Sequence, residues 1–219
     1  MADNRTYAQD LALLRSHTDV IEMTDGDARV AVAPAYQARV MTSTLAGPDS
    51  PGYGWLNDEF IAAGEENTKS NNYGGEDRFW LGPEAGQFGL WFAPNEPMDR
   101  DHWKTPRGFG NGPWEVAGRD ACSVATSRRF EVRNYSETTF PCVVERVLRL
   151  VNRSEAAALL GTAVPDGLRM VGFESHNVLI NAGDRPWTRD GGMLSIWILG
   201  QFKALPRGKA IVPFKPGDE

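Results

Sequence analysis

Residues 122–150 read CSVATSRRFEVRNYSETTFPCVVERVLRL, and this stretch decides the fold. From Cys122 to Arg133 the even positions Cys122, Val124, Phe130 and Val132 are apolar, while Ser123, Ser127, Arg129, Glu131 and Arg133 are polar. From Phe140 to Leu150 the even positions Phe140, Cys142, Val144, Leu148 and Leu150 are again apolar. A period of two predicts strands with one face in a core. The polar run Asn134–Thr138 joins them as a hairpin. A turn centred near Ser136 sets Cys142 opposite Phe130 and Cys122 opposite Leu150. The cysteines then lie far apart along the strands, which predicts two free, buried thiols and no disulfide.

Strand signals extend to both sides. Upstream, Val20–Glu22 and Ala28–Val32 flank Asp25-Gly26, a hairpin signal, and Gln37–Thr44 is a third strand. Thr6–Ser16 sets Leu11, Leu13 and Leu14 on a short stripe, predicting an N-terminal helical extension over residues 1–17. Residues 45–86 read as long loops with strand fragments, with a helical turn or two at Asn57–Ala63. Gln87–Phe92 is predicted as a strand, and 95–112 as a loop rich in Pro and Gly. Downstream, Ser154–Gly161 reads as a short capped helix. Leu168–Asn181, Met193–Leu199 and Lys209–Phe214 read as strands. No repeat or domain boundary is visible. The expectation is a single all-β domain over residues 1–219, an antiparallel β-sandwich with a few short helices.

Composition excludes several classes of function. The net charge of -6 and a pI near 5.2 argue against a nucleic-acid binder, which needs clustered Lys and Arg, and against adhesion to anionic membranes. No run approaches the ~20 apolar residues that span a bilayer. Met1–Asp10 is polar and lacks a secretory apolar region, so the chain as given reads as cytoplasmic; a periplasmic or secreted location would follow if a leader had been removed. Two cysteines without a CxxC pair, and three histidines, supply no zinc-type cluster. No metal and no cofactor are expected.

Three segments mix charge with aromatic rings. In Gly74-Gly-Glu-Asp-Arg-Phe-Trp-Leu-Gly-Pro-Glu84, an extended backbone sets Glu76 and Arg78 on one face and Asp77 on the other. An arginine beside a carboxylate suits adjacent sugar hydroxyls, one accepting and one donating; a surface ion pair of little worth explains the same composition. In Val171-Gly-Phe-Glu-Ser-His-Asn177 a polar run interrupts an apolar strand. There Glu174 and His176 share a face, so the carboxylate can orient the imidazole as a proton donor. A satisfied histidine at a sheet edge is the competing reading. The loop Asn181–Asp190 carries Asp184, Arg185, Trp187 and Arg189, again charge mixed with an aromatic ring; a long turn whose Trp187 plugs the end of the sandwich is the competing reading.

GGEDRFWLGPEAGQFGLWF, FESHNVLINAG and SIWILGQF together resemble a bacterial family of uncharacterised proteins with the galactose-mutarotase-like fold, from about Asp19 to the C-terminus. The shorter GGEDRFWLGPE is similar to the Gly-Gly-x-Arg-x-Trp-x-x-Pro-Glu pattern of related mutarotase-like families. The resemblance implies a supersandwich with a carbohydrate cleft, here the N-terminal part of a longer domain. Aldose 1-epimerases of that superfamily use a His general acid and a Glu general base. His176 matches the acid, Arg78 matches a sugar-contacting arginine, and no residue here matches the base. Glu76, Arg78, Trp80, Glu174, Asn177 and Arg185 are the expected substrate-binding residues, for a small sugar or an oligosaccharide. The expected function is carbohydrate binding, with aldose 1-epimerase activity in a complete form. The alternative is a non-catalytic carbohydrate-binding or structural β-sandwich module.

Overall fold

The computed structural model describes residues 5–110, 112–205, 207–214 and 217. Its strands pair antiparallel throughout, with few and short helices, as an all-β sandwich-like fold. Strands β1 (Ile21–Asp25), β2 (Ala28–Ala33) and β3 (Arg39–Thr44) form one sheet in that order. Strand β4 (Arg78–Gly82) pairs with β9 (Ser195–Leu199). Strands β5 (Glu115–Arg119), β6 (Ser123–Arg133), β7 (Thr139–Leu150) and β8 (Phe173–Asn181) form the third sheet, with β5 and β8 at its edges.

The β6–β7 hairpin has the register expected from its alternation, with Phe130 opposite Cys142 and Ser123 opposite Arg149. Asn134 closes its turn. The Asn134 side-chain oxygen accepts from the Thr138 N–H at 2.9 Å, and its amide donates to the Gly191 carbonyl at 2.9 Å. Along β7 the side chains of Phe140, Cys142, Val144 and Leu148 are buried. At one end they pack with Phe79, Leu81, Trp91 and Phe109; at the other, Val124, Leu148 and Leu150 meet Ile21, Met23, Val30 and Val40. Each such side chain contributes about 1.5–3 kcal/mol of transfer free energy. One face of the third sheet thus packs on both of the others.

Helix α1 (Tyr7–Arg15) starts at Thr6, whose side chain accepts from the Gln9 N–H while the Gln9 side chain returns to the Thr6 N–H. Tyr7, Asp10 and Leu14 are buried, and the Tyr7 and Ala8 N–H groups donate to the Ser50 and Pro48 carbonyls, so the helix is sewn into the core. Helix α2 (Asp58–Ala63) is capped by Asn57, and α3 (Arg107–Gly110) is a single turn. Helix α4 (Arg153–Leu160) is capped by Asn152 and ends at Gly161 in the left-handed region. No helix among the described residues is long and apolar enough to cross a membrane.

Four expectations need correction. Gln87–Phe92 is not a strand. The Gly89 N–H donates to the Gly86 carbonyl and the Leu90 N–H to the Pro83 carbonyl, which folds the segment back on itself. A Cβ on Gly89 would lie 2.7 Å from the Ala85 Cα, so the close turn depends on glycine. The apolar run is core all the same, with Leu90, Trp91 and Phe92 buried. Lys209–Phe214 is not a strand and pairs with no other among the described residues, and Ile211, Val212 and Phe214 are exposed. The strand expected from Leu168 begins only at Phe173, although the Val151 N–H still donates to the Gly172 carbonyl one position beyond the Leu150–Phe173 pair. Cys122 is exposed: the Asp120 carboxylate accepts from the Cys122 and Ser123 N–H groups, which sets Cys122 in a turn before β6. Both thiols are free, as expected, and Cys142 is buried.

Gly54 marks the tightest approach in the core. A Cβ there would fall 1.9 Å from the Met41 carbonyl oxygen, a backbone atom with little room to yield, whereas a Cβ on Gly118 meets nothing within 4 Å. Gly54→Ala is expected to cost about 3 kcal/mol or more in a denaturant melt, and Gly118→Ala to change stability by less than about 1 kcal/mol. Equal effects would contradict this packing.

Candidate functional site

Gly74 and Gly75 both adopt positive φ, 85° and 106°. A Cβ on Gly74 would lie 2.0 Å from the Trp55 carbonyl oxygen. Freed of side chains, the backbone slips between β3, the Tyr53–Leu56 loop and the segment after β9. The Gly75 N–H donates to the Trp55 carbonyl, the Glu76 N–H to the Val40 carbonyl, and the Gln201 N–H to the Gly75 carbonyl, at 2.7–2.9 Å. This carries three consecutive charged residues inside. Glu76, Asp77 and Arg78 are 4%, 6% and 2% exposed.

Each charge meets a different environment. Asp77 forms a close ion pair with Arg146, a fully buried residue of β7, and accepts from the Ser175 hydroxyl at 2.9 Å. Arg146 also donates to the Asn177 side-chain oxygen at 3.0 Å. Arg78 stacks over Trp80 at 4.4 Å, within a group of rings that includes Trp91 and Trp197. Its Nε and Nη2 are sealed from solvent with no hydrogen-bond partner among the described residues. Burial pushes this guanidinium down to about 9, with the Tyr73 phenol a smaller, opposing influence.

Glu76 turns toward Ser43. One carboxylate oxygen accepts from the Ser43 N–H at 2.7 Å and the other from its hydroxyl at 2.8 Å. Burial raises the carboxyl from 4.5 to about 7, the two Ser43 bonds lower it, and Asp10 adds to the rise. Glu76 lines a cleft of about 560 Å³. Val171, Phe173 and Phe202 supply apolar walls, Ser43 and Tyr53 supply hydroxyls, and Lys203 supplies an ammonium held by Asp10 at 2.8 Å. Apolar surface with a few convergent polar groups is the usual make-up of a small-ligand site.

The structure separates the residues expected to share a site. Glu76 stands in the cleft. Arg78 and Trp80 lie in the core, and Asn177 points inward to Arg146. Glu174 and His176 share a face, as expected, but it is the outward, exposed face of β8, because Ser175 and Asn177 take the inward positions beside Asp77 and Arg146. The Glu174 carboxylate is taken by Arg149 at 2.6 Å rather than by the imidazole. His176 and Arg78 therefore do not meet on one cavity wall. Arg185 lines a separate cavity under the loop after β8. Among the described residues, no group of three or more His, Cys, Asp or Glu side chains is placed to hold a metal ion.

Ser43, Tyr53, Lys203 and Phe202 were not among the expected site residues. Ser43 reads in sequence as an ordinary strand position, and Lys203 meets Asp10 across almost the whole chain. One signal was present: Arg146 is a charge inside the apolar alternation of β7, and such an interruption marks a buried polar partner.

The raised Glu76 carboxyl has a stability consequence. Its folded value near 7 lies above its unfolded value near 4.5, so the folded state holds the proton more tightly. The associated stability is full below about pH 4.5 and is lost as pH rises to 7, a change on the order of 3 kcal/mol. Glu76→Gln lacks this loss. Denaturant melts should show the variant gaining on the parent between pH 5 and 8, and parallel profiles would contradict the burial of a titrating carboxyl.

No curated protein and no solved structure matches this chain. A model described as a family of unknown function (DUF6786) matches residues 5–219, and the chain belongs to that family.

Proposed function

We propose that this protein binds a sugar in the Glu76 cleft. The observation that carries the reading is a carboxyl 4% exposed, set between a hydroxyl and a backbone N–H, at a cleft walled by Phe173 and Phe202. A sugar ring offers an apolar face to flat rings and a ring of hydroxyls to acceptors and donors. The cleft supplies both kinds of surface, and its volume of about 560 Å³ falls in the range of small-ligand sites. The antiparallel sandwich and the resemblance of the Gly74–Glu84 segment to galactose-mutarotase-like proteins support the same substrate class.

A catalytic reading is favoured by the same residue. Burial pushes the Glu76 carboxyl up to about 7, where such a group can both take and return a proton. In an aldose 1-epimerase-type reaction it would accept the anomeric hydroxyl proton, the role for which the sequence offered no match. His176, on the outward face of β8, does not reach this cleft, so ring-oxygen protonation falls to another group, with the Tyr53 phenol lining the same wall.

Calorimetric titration with a panel of aldoses tests the binding claim. Glu76→Gln is expected to weaken the best ligand by about tenfold or more, the cost of a lost charge-assisted hydrogen bond. His176→Ala is expected to leave affinity unchanged. Proton NMR of the same mixtures reads anomeric exchange. Binding by no aldose, or binding indifferent to Glu76→Gln, would overturn the proposal.

A further inference from the structure

A second cavity, of about 500 Å³, lies under the loop that follows β8. The Glu76 cleft touches Phe173, the first residue of β8, and this cavity touches Asn181, its last. At about 3.3 Å per residue the two lie roughly 26 Å apart along the strand. The cavity is built, not incidental. The Asn181 side chain accepts from the Gly183 N–H at 3.0 Å and donates to the Arg185 carbonyl at 2.7 Å, which curls the loop over the start of β7. Trp187 is fixed edge-on against Phe140 at 5.7 Å, and its Nε1 is buried with no hydrogen-bond partner.

Two charged side chains face this space without another task. Asp184 and Arg185 both line it, both are exposed, and among the described residues neither side chain is engaged in an ion pair or hydrogen bond. A free carboxylate acceptor and a free guanidinium fork beside an indole and Thr139 form the donor, acceptor and ring set that saccharides use.

We infer that this loop cavity is a second saccharide subsite, so that the ligand is an oligosaccharide long enough to reach both ends of β8. The choice of a saccharide rests on the reading of the Glu76 cleft; the existence of the subsite does not. Asp184 accepts from one hydroxyl pair, Arg185 donates to neighbouring oxygens, and Trp187 supplies the apolar wall. A ligand engaging both cavities gains from the linkage of two weak sites.

The test is titration with malto- and cello-oligosaccharides from monosaccharide to hexasaccharide, read by calorimetry and by the Trp187 indole N–H resonance. Affinity is expected to rise by about tenfold or more with length, and long ligands should shift the indole signal. Asp184→Asn with Arg185→Gln, both on the surface and safe for folding, should remove the gain with length and leave monosaccharide binding intact. Affinity independent of length, or a length effect untouched by the double variant, would overturn the inference. Loss of monosaccharide binding in Glu76→Gln with the indole response retained would sustain the loop subsite. An indole response that persists while Glu76→Gln changes nothing would remove the cleft reading alone.

Discussion

Three charged residues in a row, Glu76, Asp77 and Arg78, are buried together, and the structure has to neutralise or tolerate each of them separately. Leaving water costs an ion several kcal/mol unless a partner or hydrogen bonds replace its hydration. Only Asp77 receives a full counter-charge, from Arg146. Arg78 receives an indole face, and Glu76 receives two hydrogen bonds from Ser43. Gly74 and Gly75 make the burial possible, because any side chain there would collide with neighbouring backbone or force a strained φ.

The position of the site follows from this division. Asp77 binds Arg146 on β7 and Ser175 on β8, and Arg146 binds Asn177, so the odd residues of the central part of β8 face inward. Alternation then fixes Glu174 and His176 outward, away from Arg78. Glu76, one residue before Asp77, is carried toward β3 and the cleft. Glu76 is held by hydrogen bonds without a counter-charge, and its proton affinity is raised toward neutrality, a perturbation of the kind that clusters at functional sites.

Local patterning made much of the fold legible. The alternation of 122–150 yields the hairpin register, and Asp25-Gly26, Gly161 and the Thr6–Ser16 stripe mark real turns and helices. Gln87–Phe92 misled because apolar content signals burial and not extension; Gly86 and Gly89 turn the chain there instead. Within the candidate site, Glu76 was visible as a charge beside two glycines. Its partners were not. Ser43, Phe202 and Lys203 reach it only through the pairing of distant segments, such as Gly54 with Phe202 and Lys203 with Asp10. The separation of His176 from Arg78 was equally hidden, since it depends on which face of β8 the Asp77–Arg146 pair claims.

A carboxyl-carbon NMR titration of Glu76, with and without saturating sugar, bears most directly on this account. A midpoint near 7 that moves when sugar is added is the predicted result, because the ligand replaces solvent around a group already deprived of it. A midpoint at the ordinary 4.5 with no response to any sugar would show that the carboxyl is neither buried nor engaged, and the account would fail.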